Sequence, residues 1–144
     1  MAGAFVCGSG DLRDWLINAA RSFVFSTAPA PFLAAGLDAA LALLQGDAAL
    51  RRRPLELAAR LRARLTGRVD TGASASAIVP LIVGDERRAL DLAAGLRSRG
   101  WDLRAVRPPT VPPGACRVRV VVHAAMDEAQ IDALAEDILD GVGR

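Results

Sequence analysis

Residues 116–123, CRVRVVVH, constrain this chain most. Their alternation predicts a strand, in which successive side chains point to opposite faces. Cys116, Val118, Val120 and Val122 then share one face, which should be the core. Arg117, Arg119, Val121 and His123 share the other. An arginine in so apolar a strand calls for a partner, because an unpaired buried charge is costly. Arg119 is expected to be the deeper of the two. Either a protein carboxylate pairs with it, or it waits for a ligand carboxylate, which a planar guanidinium can grip through two hydrogen bonds.

The neighbouring segments supply the rest of a layer. Residues 77–83 predict a strand, and Pro80 within it suits an edge or a bulge. Asp85 should cap a helix carrying Ala89, Leu92, Ala93 and Leu96, closed by Gly100. Residues 101–106 predict another strand. Asp127 and Gln130 form a capping box before a last helix lined by Ile131, Leu134, Ala135 and Ile138. Upstream, residues 47–66 read as a helix with a Leu57, Leu61, Leu65 stripe, which Pro54 should kink or restart. Residues 67–76 are polar and small, hence a loop. The order α-β-α-β-β-α predicts a two-layer α/β sandwich.

The first part differs. Residues 4–7 read as a short strand, and Asp11 as the cap of a helix with Leu12, Trp15, Leu16, Ala19, Ala20 and Phe23 on one face. Residues 23–27 are β-prone. Residues 32–45 form a helix so uniformly apolar that it should be buried on several sides, with Gly46 after its end. The composition shifts near Gly46, which sets the expected boundary between residues 1–45 and residues 46–144.

Composition narrows the function classes. At 52% hydrophobic and 24% charged residues, the 144-residue chain is not a disordered one. Two cysteines are too few for a disulfide scaffold or a cysteine zinc site. No apolar run approaches ~18 residues, and the N-terminus lacks a basic leader, so no membrane and a cytoplasmic location are expected. All 18 basic residues are arginine, so the chain alone offers no lysine for a Schiff base. Arg51, Arg52 and Arg53 read as a solvated helix face. With 16 acidic residues and no interleaved aromatics, no nucleic-acid partner is expected. There is no glycine-rich phosphate loop, no metal-ligand spacing and no nucleophile–base pair, so no catalytic and no metal residue is nominated.

Two segments remain as candidates. Residues 107–114 hold four prolines and form a stiff loop. It either presents Arg107 and Thr110 to a ligand or merely joins two strands. Ser26 and Thr27, before a proline-rich turn and a helix, are either phosphate donors or turn hydroxyls.

Residues 21–27 (RSFVFST), 77–85 (AIVPLIVGD), 105–114 (AVRPPTVPPG) and 117–119 (RVR) resemble, in order and spacing, the C-terminal part of the α-oxoamine synthases. These are fold-type I enzymes dependent on pyridoxal phosphate (PLP). The proline loop is most similar to the biotin-pathway branch. The resemblance implies a small C-terminal α/β domain preceded by a remnant of the large cofactor domain. It implies decarboxylative condensation of L-alanine with pimeloyl-CoA or a pimeloyl carrier protein. Arg119 then grips the amino-acid carboxylate, Thr110 and Arg107 contact substrate, and Ser26 and Thr27 reach the cofactor phosphate of a neighbouring subunit in a homodimer. The family's cofactor lysine matches a position upstream of residue 1, so this chain is expected to be a fragment, inactive alone. The alternatives are one half of a split synthase of the glycine acetyltransferase or 5-aminolevulinate synthase type, and a non-catalytic dimerisation or binding module. Three positions depart from the family: Pro29-Ala30-Pro31 replaces paired prolines, Met126 a histidine, and His123 a residue that is more often hydroxylated.

Overall fold

The computed structural model describes residues 5–143. The chain forms two compact units, Met1–Asp47 and Ala48–Arg144.

The first unit is three helices: α1 (Gly10–Ala19), α2 (Arg21–Val24) and α3 (Pro31–Gly46). Ser9, not Asp11, caps α1, its Oγ accepting from the Leu12 N–H at 3.2 Å. Asp11 sits in the first turn, where its charge suits the helix dipole. Residues 5–7 form no strand, and residue 4 falls outside the described residues. A strand needs a neighbour for its N–H and C=O groups, and none lies beside this segment among the described residues. The β-prone stretch 23–27 instead begins inside α2, where the Phe23 and Val24 N–H groups both bond the Ala20 carbonyl. The expectation of a buried second helix is corrected as well. α3 forms over nearly the expected span, starting on Pro31 at its first position, yet none of its residues is buried. Phe32 is 73% exposed and Leu41 56%. So apolar a helix left largely exposed is the kind of surface that marks a contact site for other protein.

The second unit carries the core. Its elements are α4 (Ala48–Leu65), β1 (Ile78–Gly84), α5 (Glu86–Ser98), β2 (Arg104–Val106), β3 (Cys116–Val121) and α6 (Glu128–Val142), in the expected order. The sheet is antiparallel with order β1-β3-β2. Pro80 therefore lies on an edge strand, where its missing N–H breaks no ladder. Pro54 lies inside α4 without dividing it. β2 covers only the second half of residues 101–106.

Val79, Leu81, Val118 and Val120 project from one sheet face into the helices, where Leu57, Leu61, Leu65, Leu92, Leu96, Ile131, Leu134 and Ile138 complete the core. Helix ends are closed as the sequence demands. Asp85 accepts from the Arg88 N–H at 2.9 Å, and Asp127 and Gln130 make both bonds of the capping box. Gly100 has φ +96°, a left-handed conformation glycine adopts without penalty.

Arginine–carboxylate bonds tie the helices together. Arg60 bonds both oxygens of Asp132 at 2.9 and 2.7 Å, which holds that carboxyl below its ordinary pKa. The Trp101 indole N–H, at 2.7 Å, and Arg99, at 2.6 Å, do the same for Asp137. Arg53 departs from the solvated-face expectation, since its guanidinium donates to the Ala124 and Met126 carbonyls at 3.1 and 3.0 Å.

Candidate functional site

Helices cover one face of the sheet; the other face stays open. On it the strand register sets out a grid. Ile78 opposes Val121, Pro80 opposes Arg119, and Ile82 opposes Arg117. On the far side of β3, Arg104 opposes Arg119 and Val106 opposes Arg117. Pairs of this kind hold their Cβ atoms about 5 Å apart.

The expected depth of Arg119 is corrected. It is exposed, and Arg117 is the more buried of the two. The reason is the uncovered face: with no second layer, the guanidinium is never taken out of water. Among the described residues no hydrogen bond or ion pair engages the Arg119 side chain, so the protein-carboxylate alternative is not realised there. Arg117 donates Nε to the Ala115 carbonyl at 2.9 Å, which satisfies it locally without a counter-charge. Arg104 has Asp102 at 3.0 Å.

The loop 107–114 leaves the sheet beside the Val106–Arg117 rung. It turns tightly, with the Thr110 N–H bonding the Arg107 carbonyl at 3.0 Å across a cis Pro108–Pro109 bond. Both ends are fastened to the β1–α5 junction. Arg107 bonds Glu86 at 2.7 Å, and Gly114 closes on Gly84, where an added Cβ would stand 3.3 Å from the Gly114 oxygen. Gly84 itself has φ +79°. The Thr110 side chain is exposed, whereas Arg107 already has a partner in Glu86. Arg107 and Thr110 thus lie in the loop next to the Val106–Arg117 rung, and Arg119 lies one rung further along β3, opposite Arg104. Ser26 and Thr27 lie in the first unit, exposed, in the turn after α2. α3 begins at Pro31 behind Ala30, so neither hydroxyl caps it.

Glu86, Asp102 and Arg104 escape a reading of the sequence. The partner of Arg107 is 21 positions away in the chain, and only the register shows that Arg104 faces Arg119. Among the described residues no group of His, Cys, Asp or Glu is arranged to hold a metal ion, and no single helix is long and apolar enough to cross a membrane.

An open sheet face that carries an unpaired guanidinium can bind an anion; the comparisons identify the family of the chain. The family model for aminotransferase class I and II matches residues 1–138, and the chain belongs to that family. It is 44% identical over 139 residues to 8-amino-7-oxononanoate synthase of Chromobacterium violaceum, and 49% identical over 146 residues to that of Anaeromyxobacter dehalogenans. These matches take in 96% and 97% of this chain but 36% of each relative, so the chain spans little more than a third of their length. Among solved structures, serine palmitoyltransferase of S. paucimobilis superimposes with a TM-score of 0.81 at 23% identity, over 90% of this chain and 34% of that one. The 8-amino-7-oxononanoate synthase of Francisella tularensis gives 0.78 at 19%, over 95% and 40%. The fold is that of the corresponding part of these fold-type I enzymes.

Proposed function

We propose that the chain is the C-terminal part of an 8-amino-7-oxononanoate synthase-like acyltransferase. It serves the PLP-dependent decarboxylative condensation of L-alanine with pimeloyl-CoA or a pimeloyl carrier protein, in biotin biosynthesis. The observation that carries this reading is Arg119, an exposed guanidinium without a partner among the described residues, in a chain 44% identical to enzymes of that name.

In this reading Arg119 binds the carboxylate of the amino acid and fixes its orientation. Glu86 holds Arg107, and with it the loop, so that the Thr110 hydroxyl stands ready to contact substrate. The residues present fit the phosphate end of the cofactor. The exposed Ser26 and Thr27 hydroxyls fit phosphate contacts, while no residue of this chain can supply the lysine. PLP, when bound, supplies the electron sink for the carbanion. Residues 1–45 belong to the cofactor domain, residues 46–144 form the small domain, and the working enzyme is a homodimer. A cytoplasmic location is part of the proposal; the unpaired Cys7 and Cys116 support it.

The chain alone is then inactive. The test mixes it with PLP, L-alanine and pimeloyl-CoA, with and without a separately made polypeptide matching the upstream part of the C. violaceum relative. Release of coenzyme A only in the presence of that polypeptide is expected. Turnover by the chain alone overturns the reading. Binding of the polypeptide without turnover favours the non-catalytic module instead.

A further inference from the structure

The helix layer, on the far side of the sheet from Arg119, holds a cavity that the proposed reaction does not use. It lies between α5 and α6 and measures about 410 Å³, within the range of small-molecule sites. Its floor is apolar, formed by Val83, Leu92, Leu96 and Val142. Two glycines on its wall shape it. At Gly141 on α6 an added Cβ would stand 2.8 Å from the Leu92 Cδ1, so the two helices close on each other there. At Gly95 on α5 an added Cβ would meet nothing within 4 Å. A glycine inside a helix weakens that helix, and no packing contact at Gly95 calls for one. What its missing side chain does is leave the cavity open.

The charges on the wall are of two kinds. Arg99 and Asp137 are committed to each other at 2.6 Å, and Asp137 also accepts from the Trp101 indole. Arg88 and Asp91 are not committed. Among the described residues no hydrogen bond or ion pair engages the Arg88 side chain. Asp91 meets only Arg87, at 3.9 Å between exposed side chains, a contact that contributes little. Three positions apart on α5, Arg88 and Asp91 lie on one side of the helix. They offer one available cation and one available anion beside an apolar floor. A simple anion would be repelled by Asp91, and a simple cation by Arg88. We propose that this cavity binds a small zwitterion with an apolar side chain, of the amino-acid class. Its carboxylate lies on Arg88, its ammonium group on Asp91, and its side chain on Leu92, Leu96 and Val142. This site is separate from the open sheet face and does not depend on the role given to Arg119.

Calorimetry and NMR shifts of the α5 and α6 amides test it on the full chain. An Arg119→Gln background removes the carboxylate contact proposed for the open face. The probes are L-leucine, 4-methylpentanoate, 3-methylbutylamine and glycine. L-Leucine is expected to bind most tightly. The carboxylate and the amine, each lacking one charged contact, should bind about tenfold more weakly, and glycine, lacking the side chain, should also be weaker. Arg88→Gln and Asp91→Asn should each weaken L-leucine about tenfold, while Asp91→Asn should not weaken 4-methylpentanoate. Gly95→Leu fills the opening, so it should abolish binding and leave the urea midpoint unchanged or higher. The proposal is overturned if L-leucine does not shift the α5 and α6 amides, if it binds no better than 4-methylpentanoate, or if Gly95→Leu binds it undiminished. Arg88 and Asp91 are exposed, so their variants fold and decide the matter even where Gly95→Leu is destabilised.

Discussion

Leucine-to-alanine substitution in the two units should give opposite results. Leu61 in α4 has no exposed surface and is packed in the common core. Its truncation removes buried methyl groups and leaves a cavity, which costs about 2–5 kcal/mol. Leu41 in α3 is 56% exposed. Truncation there removes little burial and leaves no enclosed cavity, so the loss should stay within about 0.5 kcal/mol. The chain has one tryptophan in each unit, Trp15 in α1 and Trp101 after α5, so each unit carries its own fluorescence probe. Urea titrations of Trp15→Phe and Trp101→Phe backgrounds read the two units separately. At low micromolar concentration, Leu61→Ala should move the Trp101 transition strongly to lower urea. Leu41→Ala should leave it in place, and the Trp15 signal should show no sharp transition. The reasoning fails if Leu41→Ala destabilises as much as Leu61→Ala, because α3 would then be covered in the chain by itself.

Two further perturbations test the second unit. The depressed carboxyls of Asp132 and Asp137 contribute stability that is complete above their unfolded pKa of about 4 and is lost as pH falls through the lower folded values. The thermal midpoint should therefore drop on acidification below about pH 4, and Asp137→Asn should flatten that drop while lowering stability at neutral pH; an unchanged acid profile would contradict the assignment. Gly84→Ala forces a side chain into a left-handed conformation and against the Gly114 carbonyl, so it should cost about 1–2 kcal/mol and speed hydrogen exchange in residues 107–114, whereas Gly46→Ala, with open space around it, should not.

What could be read from the sequence follows the range of the interactions. The α4 stripe, the caps at Asp85 and Asp127 and the alternation in β3 are local patterns, and each formed as its spacing required. The first unit misled for a physical reason. Residues 5–7 and α3 have the apolar character of buried elements, but burial depends on what lies against them, and the described residues do not provide it. Arg119 misled in the same way: one strand's alternation shows which residues share a face and not whether that face is covered. Glu86 and Arg104 are matters of register and long-range pairing, which no local pattern encodes.

The proposed function gives Arg119 the carboxylate of the amino acid. The direct measurement is the KM for L-alanine in the enzyme reconstituted from this chain and the upstream polypeptide, with and without Arg119→Gln. A rise of about tenfold or more is predicted, the value of a lost charge-assisted bond. An unchanged KM would remove Arg119 from carboxylate binding.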